Sequence, residues 1–260
     1  MMETIRIDTD ARGVATLWLA RPDKHNALSA QMIRELTEAA QILGTDPAVR
    51  VVVLAAEGKT FCAGGDLGWM QDQMAADSDT RRSGARELAM MLNALNTLPK
   101  PLIGRVQGNA FGGGVGMISV CDVALAVPQA RFALTETRLG LIPATIGPYV
   151  LARLGEGKAR RVFMSGRTFD AEEATRLDLI AKVVALDALD GAVEAEIAPY
   201  LSCAPGAVAA AKRLARSLGP RIDADVIDST IDALVAVWEG DEAQQGINAF
   251  FAKTKPAWQS

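Results

Sequence analysis

The sequence predicts an α/β fold built on parallel strands, with a helical region in its last third. Short apolar runs alternate with segments of helical periodicity, two glycine-rich loops follow such runs, and the pattern becomes helical from about Pro148. Alternating strands and helices imply parallel pairing with right-handed crossovers. Ligands of such folds bind at the carboxyl ends of the strands, so we expect both glycine loops to lie at one site.

The first elements predict a hairpin, a helix and a buried strand. Residues 5–7 and 14–19 are short apolar segments separated by a turn. Ser29 is a suitable N-cap for a helix whose apolar residues recur at helical spacing until Gly44. Residues 51–54 are a fully apolar run, as expected of a parallel strand covered on both faces.

The middle of the chain continues this alternation. Residues 60–67 form a loop with two adjacent glycines, and a helix with apolar positions between 88 and 95 follows. The apolar run 102–106 predicts a strand that leads directly into a glycine-rich turn at 108–117 and then into a helix. Residues 123–126 predict the next strand.

The last third predicts a layer of helices around one short apolar piece at residues 182–184. Ile231, Leu234, Val235 and Trp238 recur at the spacing of one helix face. We interpret this face as a self-association surface, which predicts a trimer or a hexamer. A purely intramolecular core is the alternative.

The composition excludes several classes of function. The 260 residues carry a formal net charge of -4 with a pI near 5.2, which argues against nucleic acid as a partner. The apolar runs are well short of a membrane span and the first residues lack the apolar core of a signal peptide, so we expect no membrane partner and a cytoplasmic location. Cys62, Cys121 and Cys203 show no CxxC spacing, which favours reduced thiols in the core.

His25 is the single histidine of the sequence. This excludes serine–histidine triads, HExxH metalloproteases and histidine-rich metal sites. The chemistry therefore has to come from carboxylates, and we expect no metal and no redox cofactor.

Gly112, Gly113 and Gly114 are the centre of the most informative stretch. Three consecutive glycines remove every Cβ, so a backbone N–H can approach a ligand oxygen closely at the positive end of the following helix. This pattern indicates an oxyanion site for a carbonyl, although a tight turn in which glycine serves packing alone stays open. An oxyanion hole needs a second donor, and the loop with Gly64 and Gly65 is the candidate.

Four stretches of the sequence, at residues 61–67, 108–114, 132–136 and 139–143, carry a family resemblance. Further matching residues near the two ends are Arg21, Pro22, Asn26, Ala27, Leu28, Gly246, Phe250, Lys253 and Trp258. The chain resembles the crotonase, or enoyl-CoA hydratase/isomerase, superfamily over nearly its whole length. The resemblance implies a crotonase-like ββα spiral with a C-terminal helical trimerisation region, and trimers of the family often pair into hexamers.

The resemblance also implies a division of the chain and a mechanism. Residues 1–195 would be the spiral acyl-CoA-binding catalytic core, and residues 196–260 the C-terminal helical oligomerisation region. The thioester oxygen would lie between two backbone N–H groups that map onto Gly65 and Gly113. Glu136 maps onto the second of two glutamates that hydratases of the family use for proton transfer.

The first of those glutamates maps onto Gly116, so it is missing here. Position 116 lies three residues after Gly113 and therefore on the same helix face, beside the oxyanion. We expect the absent side chain to leave room there for water or for a branched substrate. A helix-start carboxylate without catalytic role is the alternative reading of Glu136.

The remaining site residues are implied by the resemblance. Ala63 and Leu67 would contact the CoA adenine and pantetheine, with ordinary packing as the alternative. Lys24 and Lys253 would lie near the CoA phosphates, with Lys253 reaching a neighbouring subunit, unless both are solvated surface lysines. Asp66 is expected to orient its loop as an Asx turn. The complete set of expected substrate-binding residues is Lys24, Ala27, Ala63, Gly64, Asp66, Leu67, Phe111, Gly112, Gly116, Thr135 and Lys253.

The resemblance implies an enoyl-CoA hydratase, for which coenzyme A is part of the substrate and no separate cofactor is needed. Isomerisation of a 3-enoyl-CoA by the single Glu136 is one alternative, and a non-catalytic acyl-CoA-binding or RNA-binding member of the family is another. The substrate is either a short straight-chain ester or 3-methylglutaconyl-CoA, because the sequence resembles the branch with bacterial methylglutaconyl-CoA hydratases of leucine breakdown. Arg138, close to Glu136, is a candidate cation for a distal carboxylate.

Overall fold

The structure is a computed structural model that describes residues 2–259. Its strands form two sheets, and helices cover both of them and make up the C-terminal third. The strands are β1 (Ile5–Thr9), β2 (Val14–Leu19), β3 (Val51–Ala56), β4 (Thr60–Cys62), β5 (Leu102–Val106), β6 (Asn109–Phe111), β7 (Val123–Ala126), β8 (Arg131–Ala133), β9 (Phe169–Asp170) and β10 (Lys182–Val183).

The α-helices follow the strands along the chain and then predominate. They are α1 (Ala30–Thr45), α2 (Leu67–Ala75), α3 (Ser78–Asn96), α4 (Gly113–Ser119), α5 (Gly147–Leu154), α6 (Glu156–Phe163), α7 (Ala171–Arg176), α8 (Leu189–Leu201), α9 (Pro205–Leu218), α10 (Ala224–Trp238) and α11 (Asp241–Ala252). A short 3-10 helix at Glu136–Leu139 carries the glutamate that the sequence singles out.

The larger sheet confirms the predicted hairpin and the parallel alternation. Its order is β1-β2-β3-β5-β7-β10, with β1 antiparallel to β2 and every other neighbouring pair parallel. All six residues of β3 are buried, as their apolar run predicts. Ser29 caps α1 by accepting a hydrogen bond from the backbone N–H of Met32 at 3.2 Å.

The smaller sheet was not predicted from the sequence. Its order is β4-β6-β8-β9, and all four strands have only two or three residues, too few to give a period-2 pattern. Each glycine loop follows a buried strand of the larger sheet, as predicted, β3 in one case and β5 in the other. What the sequence did not predict is that the first part of each loop is itself a short strand of the second sheet, β4 and β6 respectively.

The apolar face of α10 is not a self-association surface. Ile231 and Val235 are buried within the chain against Ala85 and Ala89 of α3, and Trp238 is buried in a separate cluster. The intramolecular alternative is the correct one for this face. The expected division at residue 195 falls inside α8, and how residues 196–260 take part in assembly stays a prediction.

Two further expectations from the sequence concern the burial of the cysteines and the absence of a membrane-spanning helix. Cys62 and Cys121 are buried, as expected of core thiols, but Cys203 is exposed because it follows the end of α8. Within residues 2–259, no helix combines the length and the apolar character needed to cross a membrane.

Candidate active site

A cavity of about 720 Å³ lies where the two glycine loops meet. Its wall includes residues of both loops, the segment around Glu136, and side chains from α2, α3 and α10. Among residues 2–259, Glu136 is the only carboxylate residue that lines it. The prediction that both glycine loops reach one site is therefore confirmed.

Leu28 holds the two loops together. Its backbone N–H donates to the carbonyl of Gly64 at 2.8 Å, and its carbonyl accepts from the N–H of Asp66 at 3.0 Å. Its side chain packs on the other loop, because a Cβ added to Gly113 would lie 2.5 Å from Leu28 Cδ1. Only glycine fits at position 113 while Leu28 occupies that place.

Gly65 and Gly113 each present an uncommitted backbone N–H. The Gly64 carbonyl and the Asp66 N–H both face Leu28, so the N–H of Gly65 between them faces the opposite side. Gly113 is the first residue of α4, where a backbone N–H has no intrahelical partner. Across the described residues, neither N–H donates to a protein acceptor, and both residues line the cavity.

Gly112 brings the second loop against Glu136. Its φ of 48° and ψ of -114° lie outside the regions that residues with a side chain adopt readily. A Cβ at this position would also lie 3.1 Å from Oε1 of Glu136. The N–H of Gly112 donates to the carbonyl of Ala133 at 2.9 Å, which fixes the loop beside the strand that precedes Glu136.

One oxygen of the Glu136 carboxylate is buried without a partner. Its Oε2 atom is buried and makes no hydrogen bond among the residues described, while the residue as a whole is half-buried and borders the cavity. Burial in this apolar surrounding raises the pKa of Glu136 to about 7. A carboxyl group with a pKa near neutrality can both take up and release a proton at physiological pH, as a general acid/base must.

The C-terminal helix α11 supports the segment that carries Glu136. The carbonyl of Glu136 accepts from the N–H of Leu141 at 3.0 Å. The backbone of this segment and the backbone of α11 also approach each other closely. A Cβ on Gly140 would clash with the backbone of Glu242, and a Cβ on Gly246 would clash with the backbone of Leu139. These glycines therefore allow α11 to pack directly on the 3-10 helix, which fixes the position of Glu136.

The space beside Gly116 is filled, contrary to the expectation of room for water or a branched substrate. A Cβ there would lie 2.7 Å from Ile146 Cγ2 and 3.3 Å from Leu92 Cδ1. Gly116 itself does not line the cavity in the described part of the chain, whereas Ile146 does. The missing glutamate is thus replaced by an apolar wall rather than by open space.

Asp66 orients its loop, as expected, and in addition caps α2 and pairs with Arg21. Its Oδ1 accepts from the N–H groups of Gly68 and Trp69, which makes it the N-cap of α2. Its Oδ2 accepts from Nη2 of Arg21 at 2.9 Å, and Nη1 of Arg21 donates to the carbonyl of Ala27 at 2.8 Å. This pairing ties the Gly65 loop to the segment that contains Leu28, and together with hydrogen bonds from Gly68 and Trp69 it lowers the pKa of Asp66.

Most of the expected site residues lie on the cavity wall. Those that line it are Lys24, Ala27, Ala63, Gly64, Gly65, Leu67, Phe111, Gly112, Gly113, Thr135 and Glu136. Within residues 2–259, three of the expected set do not: Asp66, Gly116 and Lys253. Lys253 is exposed and ends α11 with a φ of 55°, so its expected contact with a neighbouring subunit stays a prediction.

The structure adds residues that sequence reasoning did not assign to the site. Ile146, Trp238, Gln73 and Arg81 all line the cavity but come from α2, α3, α10 and the loop before α5. Their residue types carry no motif, and their positions depend on how these helices pack against one another. The apolar spacing of α10 was a real signal for Trp238, but it indicated burial within the chain rather than assembly.

Comparison with known proteins agrees with this geometry. The sequence matches the family model described as enoyl-CoA hydratase/isomerase over residues 9–260. It is 32% identical over 242 residues to an enoyl-CoA hydratase of Alternaria alternata, which covers 92% of this chain and 78% of that protein.

Solved structures with the same fold cover nearly the whole chain. An enoyl-CoA hydratase from Shewanella pealeana matches with a TM-score of 0.82 and 38% identity over 99% of this chain and 97% of that one. An enoyl-CoA hydratase from Mycobacterium avium matches with a TM-score of 0.85 and 32% identity over 99% of this chain and 100% of that one. These matches confirm the crotonase-like fold, and the chain belongs to the enoyl-CoA hydratase/isomerase family.

Proposed function

We propose that the protein adds water to a short or branched 2-enoyl-CoA. The thioester oxygen binds between the N–H groups of Gly65 and Gly113, and Glu136 transfers the proton. The observation that carries this proposal is the carboxylate of Glu136, which has one buried, unpartnered oxygen and lies against Gly112, next to one of the two uncommitted N–H groups. The names of several relatives, which are called enoyl-CoA hydratases, support the same reaction class.

The two N–H groups account for activation of the thioester. When a nucleophile adds at Cβ, the electrons of the double bond move toward the thioester oxygen, which becomes an enolate oxygen. Each backbone donor of this kind is worth roughly 2.7 to 4 kcal/mol of transition-state stabilisation. The donors stabilise the anion but move no proton, so a separate acid/base is required.

Glu136 supplies that acid/base by itself. Its carboxylate takes a proton from water as the water oxygen bonds to Cβ, and the resulting carboxylic acid returns a proton to Cα of the enolate. Water has then added across the double bond and Glu136 is again a carboxylate. The pKa of about 7 suits both half-steps, because neither the gain nor the loss of the proton is strongly uphill at neutral pH.

Isomerisation of a 3-enoyl-CoA is the second candidate. The observation in its favour is that Ile146 fills the place beside Gly116, so Glu136 is the only carboxylate residue on the cavity wall between residues 2 and 259. A proton shuttle between Cγ and Cα needs one carboxylate and no water. A non-catalytic acyl-CoA-binding role is the third candidate, and the net charge of -4 disfavours its RNA-binding version.

Solvent-oxygen labelling separates these candidates. The protein is incubated with a 2-enoyl-CoA in ¹⁸O-labelled water, and with a 3-enoyl-CoA in a parallel reaction. We expect a 3-hydroxyacyl-CoA that contains the heavy oxygen. Conversion of the 3-enoyl ester alone, without oxygen incorporation, would assign an isomerase, and absence of turnover with every ester would assign a binding protein.

The acyl group is proposed on separate grounds. The place beside Gly116 is filled by Ile146, so it offers no space for a methyl group on the β-carbon of the substrate. The proposal of a methyl-branched substrate such as 3-methylglutaconyl-CoA is therefore supported by the sequence resemblance alone. Comparing kcat/KM for 3-methylglutaconyl-CoA and crotonyl-CoA tests it, since a well-filled methyl pocket discriminates by roughly 1 to 3 kcal/mol. A preference for crotonyl-CoA would exclude the leucine-pathway substrate while leaving the hydration at Glu136 intact.

A further inference from the structure

Residues 25–28 run beside the loop of Gly65 and hold it in place. The carbonyl of His25 accepts from the N–H of Ala63 at 3.0 Å, and Leu28 makes the two backbone hydrogen bonds to the neighbours of Gly65 described above. Both neighbours of Gly65 are fixed in this way. The direction of the Gly65 N–H therefore depends on where residues 25–28 lie.

The side chain of Arg21 joins these two segments. Its Nη1 donates to the carbonyl of Ala27 at 2.8 Å, and its Nη2 donates to Oδ2 of Asp66 at 2.9 Å. Ala27 directly precedes Leu28, and Asp66 directly follows Gly65. One guanidinium therefore contacts both sides of the pairing that sets the direction of the donor.

Asn26 fixes the backbone from which this guanidinium extends. Its side chain is fully buried, and its Oδ1 accepts from the N–H of Arg21 at 2.9 Å. Its Nδ2 donates to the carbonyls of Glu57 and Thr60, both at 2.8 Å. The N–H of Asn26 also donates to the carbonyl of Arg21 at 2.9 Å. Arg21 is thus anchored to the turn between β3 and β4.

The ion pair between Arg21 and Asp66 is largely shielded from water. The two side chains are 19% and 18% exposed. Ion pairs removed from water add little net stability, because the cost of desolvation offsets their attraction. Stability alone is therefore a weak account of this pair, whereas both contacts of the guanidinium lie on residues that flank the pairing of Leu28 with Gly65.

The second donor, the N–H of Gly113, is held in a different way. Gly113 is the first residue of α4, so its N–H points out of the end of a helix whose axis sets its direction. Within residues 2–259, Arg21 makes no hydrogen bond to the loop of Gly113. Loss of the Arg21 side chain should therefore displace one donor of the pair and leave the other in place.

We propose that Arg21 is a positioning residue for the hydration, which aims the Gly65 N–H at the thioester oxygen together with the N–H of Gly113. The inference rests on the proposed function, which assigns both N–H groups to that oxygen. A guanidinium suits this task, because its planar fork donates in two fixed directions, whereas the ammonium of lysine is a point charge. Accurate aim matters for the rate, since a misplacement of about 1 Å can cost about 10²-fold.

The test measures how strongly the site polarises the thioester carbonyl. Difference infrared spectroscopy compares the C=O stretch of ¹³C-carbonyl-labelled butyryl-CoA, free and bound, because hydrogen-bond donors on the oxygen lower this frequency. We expect a downward shift in the wild-type protein and a clearly smaller one in Arg21→Met. A fold defect that only reduces the amount of active protein would leave the shift of the bound ester unchanged.

The kinetic counterpart is a loss of kcat with little change in ground-state binding. Removing one oxyanion donor completely costs roughly 10² to 10³ in kcat, so a displaced donor in Arg21→Met should lower kcat for crotonyl-CoA by about tenfold or more, up to that limit. The affinity for unreactive butyryl-CoA, measured by isothermal titration calorimetry, should stay within about threefold of wild type, because Arg21 itself does not line the cavity in the described part of the chain.

Two further variants separate the ion pair from the helix cap and from the charge. Asp66→Asn keeps an N-cap for α2 but loses the ion pair, and should show the same reduced shift as Arg21→Met. The double variant should be no worse than the weaker single one, because both changes break one contact. Arg21→Lys keeps the charge without the fork and should restore only part of the shift. These two single variants also carry the test if Arg21→Met fails to fold.

Arg12→Met is the matched control. Arg12 pairs with Asp10 and Glu194 on the surface, and none of the three lines the cavity. This variant should keep the wild-type carbonyl shift and kcat. A wild-type shift and kcat in both Arg21→Met and Asp66→Asn, or full restoration by Arg21→Lys, would overturn the role of the two-point contact.

Failure of this inference is distinguishable from failure of the proposed function. A downward shift in the wild-type protein that Arg21→Met retains leaves the two-donor site and the hydratase standing and removes the role of Arg21. Absence of any shift in the wild-type protein would contradict the two-donor site itself, and both proposals would fall together.

Discussion

Ile146 occupies the place where a side chain on Gly116 would lie. A Cβ on Gly116 would be 2.7 Å from Ile146 Cγ2, closer than real carbon atoms approach. The glutamate that other hydratases of the family carry at this position therefore cannot be accommodated without a change at Ile146. Of the described residues 2–259, Glu136 is the one acidic residue on the cavity wall, and proton transfer in our account depends on it alone.

A double-mutant cycle tests this packing. We expect Ile146→Ala alone to lower the free energy of unfolding by about 2 to 5 kcal/mol through the cavity it leaves. Gly116→Ala alone should suffer overpacking of about 1 to 3 kcal/mol, partly offset by the better helix propensity of alanine. In the double variant the overpacking disappears, so denaturant unfolding should give a coupling energy above about 0.5 kcal/mol. Strict additivity would mean that the two residues do not compete for one space.

Gly112 tests how closely the glycine loop must approach Glu136. Gly112→Ala places a Cβ 3.1 Å from Oε1 of Glu136 in a backbone conformation that alanine adopts poorly. We expect kcat to fall more than tenfold, because the carboxylate or the donor loop has to move. The matched control is Gly157→Ala, where an added Cβ meets nothing within 4 Å, and its activity should stay at the wild-type level. Wild-type kcat in Gly112→Ala would contradict the described geometry.

The raised pKa of Glu136 predicts a pH-dependent difference in stability. The folded protein holds a proton on Glu136 up to a pKa of about 7, whereas an unperturbed glutamate has a pKa of 4.5, so the ionised carboxylate costs stability as pH rises between these values. Glu136→Gln cannot ionise and escapes this loss. Relative to wild type, the variant should gain about 2.5 kcal/mol of unfolding free energy between pH 5 and pH 8.5, measured by urea denaturation. A difference that does not change with pH would place the pKa near its ordinary value.

Assembly is predicted to involve α9 rather than α10. None of its residues is buried, and Leu214 and Leu218 are 61% and 80% exposed on one face of the helix. We expect a trimer or hexamer in sedimentation equilibrium, and dissociation toward the 27.5 kDa monomer when both leucines are changed to glutamate. Leu186→Glu, at another exposed leucine, serves as the control. A monomeric wild-type protein would refute the prediction.

The larger sheet could be predicted because each of its main strands has a local signal. The apolar run of β3 identifies this strand, and the N-cap Ser29 identifies the start of the neighbouring helix α1. Both signals can be recognised without knowledge of the rest of the chain. The second sheet could not be predicted, because β4 and β6 have three residues each and pair only with other short strands, β4 with β6 and β6 also with β8. Short strands of this kind are stabilised by neighbours that are distant in sequence.

The candidate site likewise has parts that could be predicted from the sequence and parts that could not. Gly112 and Glu136 could be predicted from the sequence, because few residue types can adopt the backbone conformation of Gly112 or carry out the proton transfer proposed for Glu136. The filling of the space beside Gly116 does not, because Ile146 is thirty positions away and an isoleucine before a helix suggests nothing by itself. A missing side chain was interpreted as open space, but close packing of the interior fills such spaces.

The most direct test of the account is the turnover of Glu136→Gln with a 2-enoyl-CoA. Glutamine keeps the size of the side chain but removes its capacity to carry a proton, so we predict a fall in kcat of about 10² to 10⁴ with the affinity for an unreactive acyl-CoA unchanged. Wild-type kcat/KM should itself decline below a pH of about 7, where Glu136 becomes protonated. Hydration by Glu136→Gln at the wild-type rate would contradict the assignment of Glu136 as the acid/base.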